Sequence, residues 1–231
     1  MDEAPVLECG RELERLTAQA LAGGCRDEEG FLALGAALER RIALALESSA
    51  GRDEPRPACA PGCAACCTVN VATLPVEGLA VAGFLRRRLA PGEVARRAAA
   101  LLAFHERVRW CEDAERIRGG LACPFLDAHG ACAVHPVRPL ACRGVSSLDA
   151  AECRRALAER AGDEEDEGAG AVRMNLLQKA LHDEAHRAVA AALSARGLDA
   201  RSRDVSGMAG AFLADPGLVE AWAAGGRVPL E

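Results

Sequence analysis

Residues 59–67 read CAPGCAACC, four cysteines in nine positions, opening inside the proline- and glycine-rich stretch GRDEPRPACAPG at 51–62. A stretch of that composition makes turns and cannot carry its thiols on the apolar stripe of a helix. Downstream, Cys123, Cys132, Cys142 and Cys153 extend the ordered set to eight of the chain's eleven cysteines. Clustered thiols with no sign of a secretory context point to a bound metal before disulfides. The thiolate is the ligand form, and short spacings let one loop approach a cation from several sides.

Working outward, residues 121–135, LACPFLDAHGACAVH, have the form of a short β-hairpin turning at Asp127–Gly130. It presents Cys123 on one arm and Cys132 on the other. Pro136 and Pro139 then bracket a piece expected to be extended, ending at Cys142-Arg143. Asp149 with Glu152 three residues on marks a helix start, which places Cys153 in the first turns, where the dipole favours thiolate. A shared tetrahedral site would hold its sulfurs ~4 Å apart, so the 59–67 thiols are expected to approach those of Cys123, Cys132 or Cys142. The adjacent Cys66 and Cys67 are expected to point apart and to serve two metal atoms or one multinuclear cluster.

The rest of the chain reads as helix. Val6, Cys9, Leu13, Leu16 and Ala20 recur at helical spacing, as do Phe31, Leu34, Leu38, Ile42 and Ala45, with Gly23-Gly24 between them. A helix is expected from Pro75 to about Leu89, and another from Pro91 with Ala98, Leu101, Phe104 and Val108 on its stripe. Met174, Leu177, Leu181, Ala185, Val189 and Leu193 mark a long helix stopped by Gly197, and Asp215-Pro216 opens a short one. The fold class is therefore mainly α: a helical domain around a cysteine-rich metal-binding core with a short β-hairpin. Residues 1–50 form an N-terminal helical hairpin, 51–160 the cysteine-cluster core and 161–231 a C-terminal helical extension, all expected to pack as one compact domain.

Composition narrows the function. The chain has 231 residues, 28 Lys and Arg against 34 Asp and Glu, and a net charge of −6, which argues against a nucleic-acid partner. No apolar run approaches the ~18 residues a membrane span needs. The start Met1-Asp2-Glu3-Ala4 lacks the basic and apolar stretches of a signal peptide, so the expected location is the cytoplasm, where thiols stay reduced.

Other features read as bland. Cys9 and Cys111 fall on apolar helix stripes and Cys25 in a glycine-rich turn, so all three read as structural or incidental. His135 makes Cys132-x2-His135 and is a reserve ligand. His182 and His186, in HDEAH, read as an ordinary polar helix face, since Asp183 stands where a zincin needs Glu. GDEEDEG at 162–168 reads as a solvated acidic connection. GAGA at 168–171 follows an acidic stretch and no strand, so it fails as a nucleotide loop. Arg138 and Arg143 have a reason to sit beside the cluster, because guanidinium groups offset the negative charge of thiolates around a divalent ion.

The run CAPGCAACC, then CPFLDAHGAC, then RPLACR resembles the YkgJ-type cysteine-cluster family (CxxCxxCC) over roughly residues 59–153. Its members are described as candidate zinc- or iron-chelating proteins. The resemblance implies a metal role for Cys59, Cys63, Cys66, Cys67, Cys123, Cys132 and Cys142, with Pro139 and Arg143 in the RP-x-x-CR element. Val134-His135 stands where the family pattern leads one to expect an aromatic. Cys153 joins the expected metal set on its own spacing.

Thiolates suit zinc, iron and iron–sulfur clusters alike. The vicinal pair and irregular spacings lean to iron, possible as an Fe–S cluster, with a zinc-stabilised structural or interaction module as the alternative. An iron-dependent oxidoreductase is a further alternative. Flagellin lysine N-methylases carry a similar cluster, which adds a methyl-transfer reading, ranked last because no S-adenosylmethionine loop is present. Beyond the metal ion, the sequence names no protein partner, substrate or oligomeric state.

Overall fold

Helix α9, Val205–Ala214, lies at the centre of the computed structural model, and every residue from Val205 to Leu213 is buried. The structure describes residues 3–49, 56–161 and 171–230. The 51–55 part of the proline-rich stretch, the acidic connection at 162–168 and all of GAGA except Ala171 lie outside the described residues.

The N-terminal hairpin forms as its stripes require: α1 (Ala4–Ala22) and α2 (Glu28–Ser49), with Gly24 taking φ +91° in the turn. A left-handed residue there suits glycine, which has no Cβ to clash. After the cysteine loop come α3 (Pro75–Arg86), α4 (Pro91–Val108) and α5 (Asp113–Arg118). Proline opens α3 and α4 because its fixed φ suits the first turn and its missing N–H has no partner to lose there. The hairpin and a 3-10 turn (His135–Val137) lead to α6 (Leu140–Gly144) and α7 (Ala150–Ala161). Helices α8 (Leu176–Ala195), α9 and α10 (Leu218–Ala223) complete the order.

Packing divides into two sides that share one apolar cluster. On one side α1 and α2 lie against α8; on the other, α3 and α4 flank α9. Trp222 of α10 is fully buried and joins them, 4.9 Å from the Phe31 ring and 6.2 Å from Phe212. Close approach to α9 depends on glycine. Gly78 of α3 meets Met208, and a Cβ on Gly207 would lie 2.5 Å from Nδ1 of His105 in α4.

The described strands form one two-residue ladder, β1 (Ala72–Thr73) antiparallel to β2 (Arg203–Asp204). It ties the end of the cysteine loop to the start of α9. Asp204 caps that helix by accepting from the Ser206 amide at 2.9 Å and pairs with Arg116 of α5 at 2.7 Å, both side chains buried. Breaking one partner of such a pair strands a buried charge.

Two expectations change. The 121–135 hairpin keeps its turn, with Asp127 accepting from the amides of His129 and Ala131, but its pairing is a single bridge, Leu126 to Cys132. Pro124 and Pro136 lack the N–H groups a longer ladder would need. The piece between Pro136 and Cys142 is extended only at Arg138 and Pro139; it begins in the 3-10 turn and ends in α6, and each proline sits at or just before the start of a helical turn, where its φ fits. No helix among the described residues is long and apolar enough to cross a membrane.

Gly207→Ala should destabilise the protein by about 1–3 kcal/mol, because the His105 ring is buried and has nowhere to move. Gly35→Ala, with nothing within 4 Å of its new Cβ, should be neutral or stabilising. Urea melts of the two variants side by side check this.

Candidate metal centre

The cysteine loop is held at both ends and curled between them. The Ala58 amide donates to the Ser147 carbonyl at 2.8 Å, and the Asn70 amide to Asp113 of α5 at 2.6 Å. Between these pins, Cys63 N–H reaches Ala60 O and Cys67 N–H reaches Ala64 O, each at 2.9 Å, making successive tight turns. Gly62, at φ +85°, sets its backbone against Gly130 at the hairpin tip. The Cys123 amide then donates to the Cys67 carbonyl at 2.6 Å. That bond fixes the hairpin's first arm on the loop, although α3, α4 and α5 separate the two residues in sequence.

Helix α6 brings Cys142 to the same place, and Glu77 of α3 holds it there. One carboxylate oxygen accepts from Leu140, the first residue of α6, at 2.6 Å, and the other from Leu74 at 2.7 Å. Gln178 of α8 braces the far end by donating to Arg143 O at 2.6 Å.

Cys59, Cys63, Cys66, Cys67, Cys123, Cys132 and Cys142 consequently line one cavity of about 210 Å³. His135 and Arg138 share its wall, and the buried Arg116–Asp204 pair closes another side. Cys153 does not line it. It faces a second cavity, across a partition that contains Cys63 and Cys66. Among the described residues no three Cys, His, Asp or Glu side chains are gathered tightly enough to hold an ion as they stand. The thiols ring a space and do not meet at a point.

Their electrostatics show why crowding thiols is costly without a cation. Cys66 donates its proton to Cys67, and that hydrogen bond, followed by burial, pushes Cys66 far up; the same bond lowers Cys67. Burial lifts Cys123 to about 11, with nearby Cys132 adding to the effect. Burial likewise raises Cys142, reinforced by Cys123 and Cys66. The two thiols of the vicinal pair therefore face each other and do not point apart. A cation among these sulfurs reverses the balance, since it favours the charged form of all of them at once. A donor set of thiols with one imidazole at the rim suits zinc or iron.

The two expected arginines take different parts. Arg138 lines the cysteine cavity, and its charge lowers Cys66 and Cys142. Arg143 is occupied elsewhere: it pairs with Glu39 at 2.9 Å and donates to the carbonyls of Arg138 and Pro136. It braces the turn between the 3-10 segment and α6, and lines a neighbouring cavity with Glu39 and Glu77. Arg97 of α4 was not anticipated; it bonds the Pro124 carbonyl, and its charge lowers Cys123.

The histidines separate in the same way. Arg138 and then burial lower His135, leaving a neutral ring at the rim. His182 is buried with Nδ1 2.7 Å from Gln178 O, so HDEAH is not a polar face; His186 Nε2 meets Ser202 Oγ at 2.9 Å. Cys9 is buried on α1, and Cys111 donates to Arg107 O at 3.3 Å.

Glu77 carries a pH prediction. Burial pushes its carboxyl up from 4.5 to about 7, against the pull of its two amide donors. The folded state thus binds the proton more tightly than the unfolded chain does. Its contribution to stability is complete below about 4.5 and is lost as pH rises through about 7. Glu77→Gln should lower stability by about 1–3 kcal/mol, because one amide donor then faces an NH2, and should flatten the slope between those pH values. Melting curves at a series of pH values test this, and an unchanged slope would contradict the assignment.

No curated protein and no solved structure matches the chain. A family model does match, across the loop, the hairpin, α6 and α7. Residues 58–159 are similar to the CxxCxxCC family model, whose description reads "Putative zinc- or iron-chelating domain".

Proposed function

We propose that the protein chelates more than one atom of iron or zinc in the cavity between the 59–67 loop, the hairpin and α6. One observation carries the reading: seven thiols line a single cavity, whereas one tetrahedral ion takes four. The proposed ligands are Cys59, Cys63, Cys66, Cys67, Cys123, Cys132 and Cys142. Cys153 stands behind Cys63 and Cys66 and enters the set only if that partition moves. Arg138 offsets part of the negative charge, and His135 is the imidazole within reach of the rim.

Iron is the favoured metal. The vicinal pair and the ring of thiols from three separate segments depart from the paired CxxC knuckles of ribbon-type zinc sites. An iron–sulfur centre in this position supplies one-electron chemistry. The zinc alternative is a structural module, in which the metal orders a loop that contributes little apolar surface of its own. Only Val71 from residues 56–71 packs against the core.

Anaerobic purification followed by elemental analysis and an absorption spectrum tests both. The expected result is at least about two metal atoms per chain, with a brown colour and broad absorption near ~400 nm for an iron–sulfur centre. Cys66→Ser and Cys67→Ser should each lower the metal content, and Cys9→Ser should leave it unchanged. A single zinc per chain would replace the multinuclear reading with the structural one. A folded protein that takes up neither metal would end both.

A further inference from the structure

The cavity that Arg143 lines with Glu39 and Glu77 has a volume of about 420 Å³ and lies between α2, α3, the 3-10 turn, α6 and α8. Its walls are mostly apolar, with Leu32, Val76, Val137 and Val189 among them. Five charged side chains complete the lining: Glu39, Arg40, Glu77, Arg138 and Arg143. Three of these are committed to each other or to the backbone. Glu39 pairs with Arg143 at 2.9 Å, and the two carboxyl oxygens of Glu77 accept from the amides of Leu74 and Leu140. Arg40 and Arg138 are not committed: neither guanidinium has a hydrogen bond or an ion pair among the described residues. Arg40 is exposed on α2, so a ligand reaches it freely. Arg138 is half-buried with only its Nε sealed, which leaves the terminal nitrogens to meet a partner.

Small-molecule sites combine apolar walls with a few placed polar groups, at volumes of ~300–1,000 Å³. The charges here select an anion. Three guanidinium groups face two carboxyls, so the lining stays positive even with both carboxyls ionised. A singly charged head balances that lining, and a doubly charged phosphate exceeds it. A carboxylate also matches the planar fork of a guanidinium, which bonds both of its oxygens.

We infer that this cavity binds an aliphatic monocarboxylate, with its head between Arg40 and Arg138 and its chain against Leu32, Val76, Val137 and Val189. Arg138 stands in the wall of the cysteine cavity as well, so the bound head lies one side chain away from the proposed metal centre. The inference rests on this cavity's own lining and stands whether or not the metal reading does.

Three probes test it on the full chain as purified, with metal content measured in every sample: octanoate, 1-octanol and acetate. Amide NMR signals of Leu32 and Val189 should shift on titration with octanoate. Octanoate should bind about tenfold more tightly than 1-octanol or better, the factor of a hydrogen bond to a charged group. It should exceed acetate by at least about tenfold, since burying even two methylenes gives that factor. Arg40→Gln and Arg138→Gln should each weaken octanoate and leave 1-octanol as it was. Ala36→Trp, filling the cavity from the exposed face of α2, should abolish binding of both, with circular dichroism unchanged. Signals that octanoate does not move would overturn the inference. So would acetate binding as tightly as octanoate, or an octanoate preference that survives Arg40→Gln undiminished. Should Arg138→Gln or Ala36→Trp fail to fold, the Arg40→Gln comparison decides alone.

Discussion

The hydrogen bond from the Cys123 amide to the Cys67 carbonyl, 2.6 Å long, joins the two halves of the cysteine set. Loop closure across the intervening helices has an entropic cost that this single contact could not offset. It persists because its two ends are delivered independently. The β1–β2 pair and the Asn70–Asp113 bond fix the end of the loop, and Asp127 fixes the hairpin turn. The Arg116–Asp204 pair sets α5, just before the hairpin, against the start of α9. Once these are in place, Cys67 and Cys123 have nowhere else to be. The position of Cys142 follows from Glu77 in the same manner, through the start of α6.

That arrangement places several acids where they oppose one another's ionisation. Each sulfur that loses a proton makes the next loss harder, and burial adds to the difficulty. Arg138 and Arg97 each ease part of this without cancelling it. Cationic side chains alone would make a site for one or two thiolates. Ionising several of them together takes a divalent or higher charge among them. The guanidinium of Arg143 contributes by geometry, holding the backbone that presents Cys142, and less by its charge.

Much of this was legible in the sequence, and the exceptions have physical causes. The α1, α2, α3, α4 and α8 helices each bury one face, so their apolar residues recur at helical spacing. Helix α9 is buried all round and shows no such period; the signal available was Asp204 two residues before Ser206, an N-cap ahead of an apolar run. The β1–β2 ladder pairs residues 72–73 with 203–204 and is two residues long, too short and too distant for any local pattern. Six of the seven cavity-lining cysteines were legible from spacing because they sit in turns and loops, where packing offers no competing reason for a thiol; Cys142 lies on the short helix α6. Cys153 was harder to place. Its helix start was correct, but spacing fixes neither the rotation of α7 nor the face it turns to the loop.

The core and the cysteine cavity are built from largely separate residues. The α9-centred cluster draws on α1 to α4 and α8 to α10, and reaches the cysteine region through Phe125, Val134 and Leu140, with Cys123 and Cys132 half-buried at its edge. Apolar burial of that extent supports a fold without help from a metal. The 56–71 loop has no such support: three pins, a few tight turns and one valine packed against the core. Metal binding energy is folding energy only for the residues the metal orders. The hairpin and α6 are anchored in the core by Phe125, Val134 and Leu140, and the 56–71 loop is the part with least apolar support. The division sets four of the seven cavity-lining thiols on a segment held by backbone hydrogen bonds and little apolar burial, while the helices keep its ends in fixed positions.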